Sequence, residues 1–186
     1  MAVKRQSILI EGVKRSKYAD QIQLILAGRG EMTEELKEKG KELPVEPFIE
    51  YISFEEKLRF LNTADLYVHG SIVELESLST SEAIGCGLPC LISDSKYSAA
   101  SQFTIDDRFL FKSDDADSFA KQLDYWYENR EELRSAELKK KILAEADWYR
   151  FDRAVTEYEA FIESIVNPKL STENATLKPE VVRVKR

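Results

Sequence analysis

The feature that most constrains the fold is a regular alternation of short apolar segments with longer segments of helical periodicity. The segments QLILA at 23–27, ADLYVH at 64–69 and PCLIS at 89–93 each have the length and composition of a buried strand. Helical patterns separate them, and such an alternation is typical of a parallel sheet wrapped by helices. We therefore predict an α/β fold, a Rossmann-like doubly wound parallel sheet flanked by helices.

The predicted elements follow this alternation along the chain. Helices are expected at 6–18, 33–41, 53–62, 115–129, 130–144 and 151–165, and strands at 23–27, 47–52, 64–69, 89–93 and 108–112. Together they predict one domain over residues 1–166, followed by a flexible polar tail over 167–186. A doubly wound domain usually opens with a strand, whereas a helix is expected within a few residues of Met1. We therefore expect the first strand to be missing from this sequence.

Composition excludes several classes of partner. Of the 186 residues, 34 are acidic and 27 basic, for a formal net charge of −7, so we expect no nucleic-acid partner. No apolar segment is long enough for a membrane span and no signal-peptide core is visible, which favours a cytoplasmic protein. Contact of the basic end, Lys185 and Arg186, with the inner face of a membrane remains an alternative to a solvated tail.

The cysteine and histidine content argues against a metal centre. Cys86 and Cys90 are the two cysteines and His69 is the single histidine. Two thiols and one imidazole make a poor metal site, so free thiols, no metal and no cofactor are expected. We expect His69 to be a packed or half-exposed residue at a strand end rather than a functional one.

The segment VELESLSTSEAIGCGLPCLIS at 73–93 contains a complete set of signals for a short helix. Ser79 and Glu82 have the spacing of a capping box, which predicts Ser79 as the N-cap and Glu82 at the third helical position. Gly87 lies where a left-handed terminating residue belongs, and Pro89 prevents the helix from continuing. These roles alone would explain the segment as structural.

The start of this helix also has the chemistry of an anion site. Its free N–H groups, with those of Ser77 and Leu78, would lie at the carboxyl edge of the sheet, where ligands bind in open parallel sheets. A diphosphate could bind there without a cluster of lysines. Glu74 and Glu82 would flank it, and carboxylates are good acceptors for sugar hydroxyls. The arrangement therefore favours a nucleotide sugar.

The spacing from Glu74 to Glu82, E-x7-E followed by Ala-x-x-x-Gly-x-Pro, resembles the signature of retaining glycosyltransferases of group 1. The match lies in the C-terminal, nucleotide-sugar-binding domain of their GT-B fold. It extends to LILAGRGE, YISFEEKLRFLNTADLYVHGS and FLFKSDDADSFAKQL, over roughly residues 4–166. The resemblance implies transfer of a hexose from a nucleotide sugar, UDP-glucose or similar, to a lipid or saccharide acceptor.

The resemblance also implies a role for each candidate site residue. Two candidates are catalytic: Glu74 would contact hydroxyls of the transferred sugar, and Lys4 would neutralise the leaving diphosphate. The donor-binding candidates are Glu82 for the ribose hydroxyls and Ser77, Leu78 and Ser79 for the diphosphate. No metal is generally required in this family.

Two departures from the family pattern indicate which subgroup of the family this chain resembles. The usual Gly-Phe-Gly after the first glutamate is Leu75-Glu76-Ser77, and a Gly-Gly loop is replaced by 95–103. Both variants are similar to bacterial glucosyltransferases that act on membrane lipids such as diacylglycerol or sterols. The first strand, with an arginine partner for Lys4, and the N-terminal acceptor domain are absent from this sequence. We therefore expect this chain to bind donor without transferring sugar.

Two alternatives remain open from the sequence. One is half of a nucleotide-sugar epimerase with the same two-domain architecture. The other is a non-catalytic doubly wound module with a regulatory or binding role. The sequence does not identify the sugar, the nucleobase or the acceptor, although uridine is the commonest base among the proteins it resembles.

Overall fold

The computed structural model describes residues 4–166. Its helices are α1 Gln6–Arg15, α2 Thr33–Gly40, α3 Phe54–Thr63, α4 Leu78–Gly85, α5 Ala116–Glu128, α6 Arg130–Leu133, α7 Ala136–Ala146 and α8 Phe151–Val166. Its strands are β1 Ile25–Ala27, β2 Phe48–Glu50, β3 Tyr67–His69, β4 Cys90–Ser93 and β5 Leu110–Phe111. The expected tail at 167–186 lies outside the described residues.

All strand pairs are parallel, and helices flank them, as the alternation predicted. β1 pairs with β2, with Leu26 opposite Ile49. β4 lies between β3 and β5, with Val68 opposite Leu91 in the first of these pairs. The α/β fold class is thereby confirmed. Within residues 4–166, however, the strands form two sheets rather than one, because no hydrogen-bonded ladder joins β1 to β3.

Two apolar clusters form the core. One surrounds Trp126, whose ring stacks on Phe109 with centroids 4.1 Å apart and lies near α4 and α7. The other lies under α1 and takes side chains from both sheets, including Leu24 of the segment before β1 and Leu91 of β4. Gly12 in α1 faces the ring of Phe119, where a Cβ atom would collide with it. The two sheets therefore share one packed layer although they are not hydrogen-bonded to each other.

The helix ends show how far local signals specify this fold. The capping box that begins α3 is present, since the Glu56 N–H donates to Ser53 Oγ at 3.2 Å and the Ser53 N–H donates to Glu56 Oε2 at 2.8 Å. The single helix predicted at 130–144 is wrong. α6 ends at Leu133, and α7 begins after Ser135, whose Oγ accepts from the Leu138 N–H at 3.1 Å. A serine that can serve as an N-cap interrupts an otherwise continuous helical pattern.

Membrane insertion can be assessed for the described helices. None of those between residues 4 and 166 is both long enough and apolar enough to cross a bilayer.

Candidate active site

The candidate site lies where β3 and β4 end, at the shared carboxyl edge of the parallel strands. The loop after β3 contains Glu74, and its backbone is paired with the loop after β4. The Glu74 N–H donates to the Tyr97 carbonyl at 3.2 Å, and the Ala99 N–H donates to the Glu74 carbonyl at 2.9 Å. These bonds fix the main chain of Glu74 on both sides.

The segment 95–103, which departs from the family pattern, supports this loop. Ser95 Oγ donates to the Ile72 carbonyl at 2.6 Å. Ser98 Oγ accepts from the Ala100 N–H at 3.3 Å and so caps the short 3₁₀ helix Ala99–Phe103. Ser95 and Ser98 therefore have a structural role in holding the loop that contains Glu74.

Lys4 and Glu74 form an ion pair across the cleft. Lys4 Nζ lies 2.9 Å from Glu74 Oε2, and the two side chains are 55% and 17% exposed. His69 Nε2 lies 3.7 Å from the same carboxylate oxygen. The two residues for which the resemblance implies a catalytic role are thus in direct contact.

Charge and burial set the protonation states of Glu74 and His69. Burial raises the pKa of Glu74, but the hydrogen bond and positive charge of Lys4 outweigh it, so the pKa lies below its ordinary value. Burial lowers the pKa of His69, and the nearby Lys4 adds to this, against an opposing contribution from Glu74. At neutral pH the site therefore contains an ionised carboxylate and a neutral imidazole.

The start of α4 differs from the prediction. Ser77 and not Ser79 is the N-cap, with φ of 50° and ψ of 60°, and it makes no side-chain capping bond. The predicted capping box between Ser79 and Glu82 is therefore wrong. The physical reason is that Ser79 Oγ accepts from the Tyr67 hydroxyl at 2.9 Å, while Ser77 Oγ lies 2.6 Å from Thr80 Oγ1. The Ser79 hydroxyl that the capping box would have used is thus engaged by Tyr67 of β3.

The main-chain N–H groups at the start of α4 are the ones that could contact an anion. The first bond within the helix is donated by the Thr80 N–H to the Ser77 carbonyl at 2.9 Å, so the N–H groups of Leu78 and Ser79 precede it. The Leu78 side chain is 71% exposed, and Ser77 is buried. The N-terminus of α4 thus presents its positive end to solvent beside Lys4.

Glu82 lies in the second turn of α4 and pairs with Lys57 of α3. Lys57 Nζ donates to Glu82 Oε1 at 2.6 Å, and the side chains are 35% and 38% exposed. Sequence reasoning missed Lys57, because no pattern in the chain relates it to a residue 25 positions away.

A polar network lies beneath the helix start. The Tyr67 hydroxyl is 3.3 Å from His69 Nδ1, and His69 Nε2 is 3.5 Å from Ser77 Oγ. Burial raises the pKa of Tyr67 to about 12, so its hydroxyl stays protonated and can donate to Ser79. Sequence reasoning gave Tyr67 no role, and it expected His69 to be a packed or half-exposed residue at a strand end. The sequence did contain a signal for this pair. Tyr67 and His69 are two positions apart in a predicted strand, and such residues project to the same face.

The structure brings the six predicted site residues to one edge of the molecule. One cleft is lined by Lys4, Ser79, Glu82 and the turn at 28–30, and a second by Lys4 and residues 73–79. Lys4 and Ser79 border both clefts, so the two clefts adjoin at these residues. In the part of the chain that the structure describes, no cluster of three His, Cys, Asp or Glu side chains could hold a metal. The expectation of a metal-free site stays a prediction.

A family model described as glycosyl transferases group 1 matches residues 2–142. The chain belongs to this family. Membership confirms the family relationship inferred from the E-x7-E spacing. It also places the chain among the glycosyltransferases. No curated relative matches the sequence.

Solved structures of glycosyltransferases share the fold. The catalytic domain of a cholesterol-alpha-glucosyltransferase from Helicobacter pylori is 33% identical with a TM-score of 0.75, over 81% of this chain and 93% of that one. Anabaena HepE, solved with UDP and glucose, is 21% identical with a TM-score of 0.70, over 89% of this chain and 46% of that one. The pneumococcal O-GlcNAc transferase GtfA, solved with UDP and GlcNAc, is 18% identical with a TM-score of 0.72, over 90% and 34%. The chain thus spans less than half the length of the last two.

Proposed function

We propose that this chain is the donor-binding domain of a retaining glycosyltransferase, which moves a hexose from a nucleotide sugar to a lipid or saccharide acceptor. The observation that carries the proposal is the meeting of Lys4, Glu74 and the N-terminus of α4 at one edge, with Glu82 one turn further along. Family membership supports it, as do fold relatives solved with UDP and a sugar.

The diphosphate of the donor binds at the N-terminus of α4. The N–H groups of Leu78 and Ser79 donate to it, and the helix dipole favours its negative charge. Lys4, which is 55% exposed, exchanges its contact with Glu74 for one with the phosphate oxygens. Negative charge grows on the leaving diphosphate during transfer, so a fixed ammonium there stabilises the transition state.

The two carboxylates bind the hydroxyl groups on either side of the diphosphate. Glu74 accepts from hydroxyls of the hexose, and its lowered pKa keeps it an acceptor at neutral pH. Glu82 accepts from the ribose hydroxyls, and Lys57, whose Nζ lies 2.6 Å from Glu82 Oε1, competes with them for the carboxylate. No metal takes part in this proposal, because Lys4 and the N-terminus of α4 supply the positive charge.

The donor and the acceptor are proposed from similarity rather than from contacts. UDP-glucose or a similar sugar nucleotide is the proposed donor. A lipid acceptor is proposed because the cholesterol glucosyltransferase domain is the relative at 33% identity. An N-terminal acceptor domain is the proposed partner for transfer. We further propose a cytoplasmic location with peripheral contact at the inner face of a membrane.

Ligand-observed NMR on this chain tests donor binding. UDP, GDP, ADP and their glucose conjugates are compared, on the parent and on Glu82→Gln. Glu159→Gln is the matched control, because Glu159 is exposed in α8 and lines neither cleft. Selective UDP signals that weaken in Glu82→Gln but not in Glu159→Gln support the proposal. Equal signals for all three nucleotides in all variants contradict it.

A further inference from the structure

The polar network beneath α4 connects side chains in series, from the interior of the domain to the start of the helix. Thr80 Oγ1 lies 2.6 Å from Ser77 Oγ, which lies 3.5 Å from His69 Nε2. The Tyr67 hydroxyl lies 3.3 Å from His69 Nδ1 and 2.9 Å from Ser79 Oγ. Ser79 is exposed, whereas Thr80, Ser77 and His69 are buried. We call this series, from Thr80 to Ser79, the relay.

The single proton of the Tyr67 hydroxyl sets the direction of the relay. Burial raises the pKa of Tyr67 to about 12, so the hydroxyl keeps its proton at neutral pH. Ser79 Oγ, at 2.9 Å, is closer to this hydroxyl than His69 Nδ1 is, and it accepts the proton. The Tyr67 oxygen then accepts from His69, since two lone pairs would otherwise face each other across this contact.

This direction defines the tautomer of His69. A neutral imidazole has one N–H group and one acceptor nitrogen. Burial lowers the pKa of His69, which keeps the ring neutral at neutral pH. Nδ1 therefore carries the proton and donates to Tyr67, while Nε2 accepts from the Ser77 hydroxyl. Thr80 donates in turn to Ser77, so each group in the relay donates to the next.

The Glu74 carboxylate opposes this tautomer, because a negative charge favours a proton on the nearer nitrogen. Glu74 Oε2 lies 3.7 Å from His69 Nε2, which is beyond hydrogen-bond distance. The same oxygen is paired with Lys4 Nζ at 2.9 Å, and this ammonium offsets its charge. The closer contact between Tyr67 and Ser79 therefore decides the tautomer.

We propose that Tyr67 and His69 are positioning residues, which direct the hydroxyl proton of Ser79 outward to the diphosphate of the donor. The Ser79 oxygen accepts from Tyr67 on its buried side, so its own O–H is left to donate on the exposed side. Ser79 then donates to the diphosphate twice, from its main-chain N–H and from its hydroxyl. This inference rests on the proposed function, in which only main-chain N–H groups and Lys4 contact the diphosphate.

The opposite tautomer reverses every bond in the relay. With the proton on Nε2, His69 Nδ1 accepts from Tyr67, and the Tyr67 oxygen accepts from Ser79. The Ser79 hydroxyl then presents a lone pair to the diphosphate and repels it. The tautomer of His69 therefore reports which way the Ser79 hydroxyl points.

NMR of the full chain with isotope-labelled histidine nitrogens reads this tautomer, because His69 is the single histidine. Spectra are recorded at neutral pH on the free chain and on the chain saturated with UDP. A proton on Nδ1 is expected in both states. UDP binding with a proton on Nε2 overturns this inference alone. A parent chain that does not bind UDP overturns the proposed function and this inference with it.

UDP affinities of three variants test whether Tyr67 acts through Ser79. Ser79→Ala keeps the main-chain N–H and is expected to weaken UDP binding by about three- to tenfold, through loss of one hydrogen bond. Tyr67→Phe keeps the ring and is expected to weaken UDP by about two- to fivefold and to move the His69 proton to Nε2. In the Ser79→Ala background, Tyr67→Phe should give no further loss.

A matched control separates the hydroxyl from the general effect of replacing a tyrosine. Tyr125 is half-buried and lines neither cleft, so Tyr125→Phe is expected to leave both the UDP affinity and the tautomer unchanged. An equal loss from Tyr67→Phe with and without Ser79→Ala would show that Tyr67 acts by packing, and it would overturn the inference. The tautomer of the parent chain needs no variant, so the test does not depend on how well the variants fold.

Discussion

Lys4 Nζ and Glu74 Oε2 lie 2.9 Å apart although 70 positions separate the two residues in the chain. One belongs to the segment before α1 and the other to the loop after β3. Their contact places an ammonium and a carboxylate at the positively charged end of α4. The proposed function implies that both residues change partners when the donor binds. Lys4 then contacts the diphosphate, and Glu74 accepts hydrogen bonds from the sugar hydroxyls.

Glu74→Gln tests this exchange directly. The amide no longer holds Lys4, so UDP is expected to bind as well as to the parent or more tightly. UDP-glucose is expected to lose on the order of tenfold in affinity relative to UDP, because a charged acceptor for the sugar hydroxyls is gone. Titration calorimetry with both ligands gives the ratio. An unchanged ratio would show that Glu74 does not contact the sugar, and Glu159→Gln, in α8 and outside both clefts, is the matched control.

Lys57→Met tests whether Lys57 competes with the ribose for Glu82. The pair is about one-third exposed on each side, so its loss should change the free energy of unfolding by less than about 1 kcal/mol. Freed from the ammonium, Glu82 is expected to bind UDP about two- to fivefold more tightly. In Glu82→Gln the same Lys57→Met change should give no gain. A gain of the same size with and without Glu82→Gln would show that Lys57 does not act through Glu82.

His69 makes stability depend on pH in a defined window. Burial lowers its folded pKa below the ordinary value of 6.5, so the unfolded chain binds more protons between these two values. The free energy of unfolding should therefore fall as pH drops below 6.5, by at most about 1.4 kcal/mol per pH unit from this one group. Urea unfolding at several pH values measures the slope.

The chain contains one histidine, so the assignment can be checked by substitution. His69→Asn is expected to remove the part of the slope that lies just below pH 6.5. Tyr67→Phe removes a hydrogen-bonding hydroxyl but keeps the imidazole, and should keep the slope. If His69→Asn retained the full slope, the carboxylates would be its source instead.

Ser77 is the residue where backbone conformation limits substitution. Its φ of 50° is costly for any residue with a Cβ, by about 1–2 kcal/mol, and glycine avoids that cost. Both Ser77→Gly and Ser77→Ala lose the contact with Thr80, so they differ mainly in backbone strain. We expect Ser77→Ala to be less stable than Ser77→Gly by about 1 kcal/mol. Thermal unfolding of the two variants decides this, and an equal or reversed order would contradict it.

Much of the fold follows from local patterns in the chain. The strand at 64–69 and the helix at 53–62 appear within a few residues of their predicted bounds, because periodicity and capping act between near neighbours. Gly87 has a φ of 72°, as predicted for the residue that ends α4. The break at Ser135 was missed because the helical pattern continues through it.

The candidate site was predictable only in part. The E-x7-E spacing located Glu74 and Glu82 on one strand-loop-helix unit, which is a local relationship. Lys57 and the hydroxyl network of Tyr67 were not visible, since they reach the site through other elements. The roles of all six predicted site residues remain predictions that the experiments above test.

The sequence by itself determined the order and type of the elements and the family to which the chain belongs. Those properties depend on periodicity, capping and motif spacing within short windows. Only the tertiary structure decided that Lys4 pairs with Glu74, that Lys57 pairs with Glu82, and that Ser77 rather than Ser79 precedes α4. It also decided that the strands divide into two sheets. The physical reason is that hydrogen bonds and charges between distant segments form only once the core has brought those segments together, and they then override local preferences.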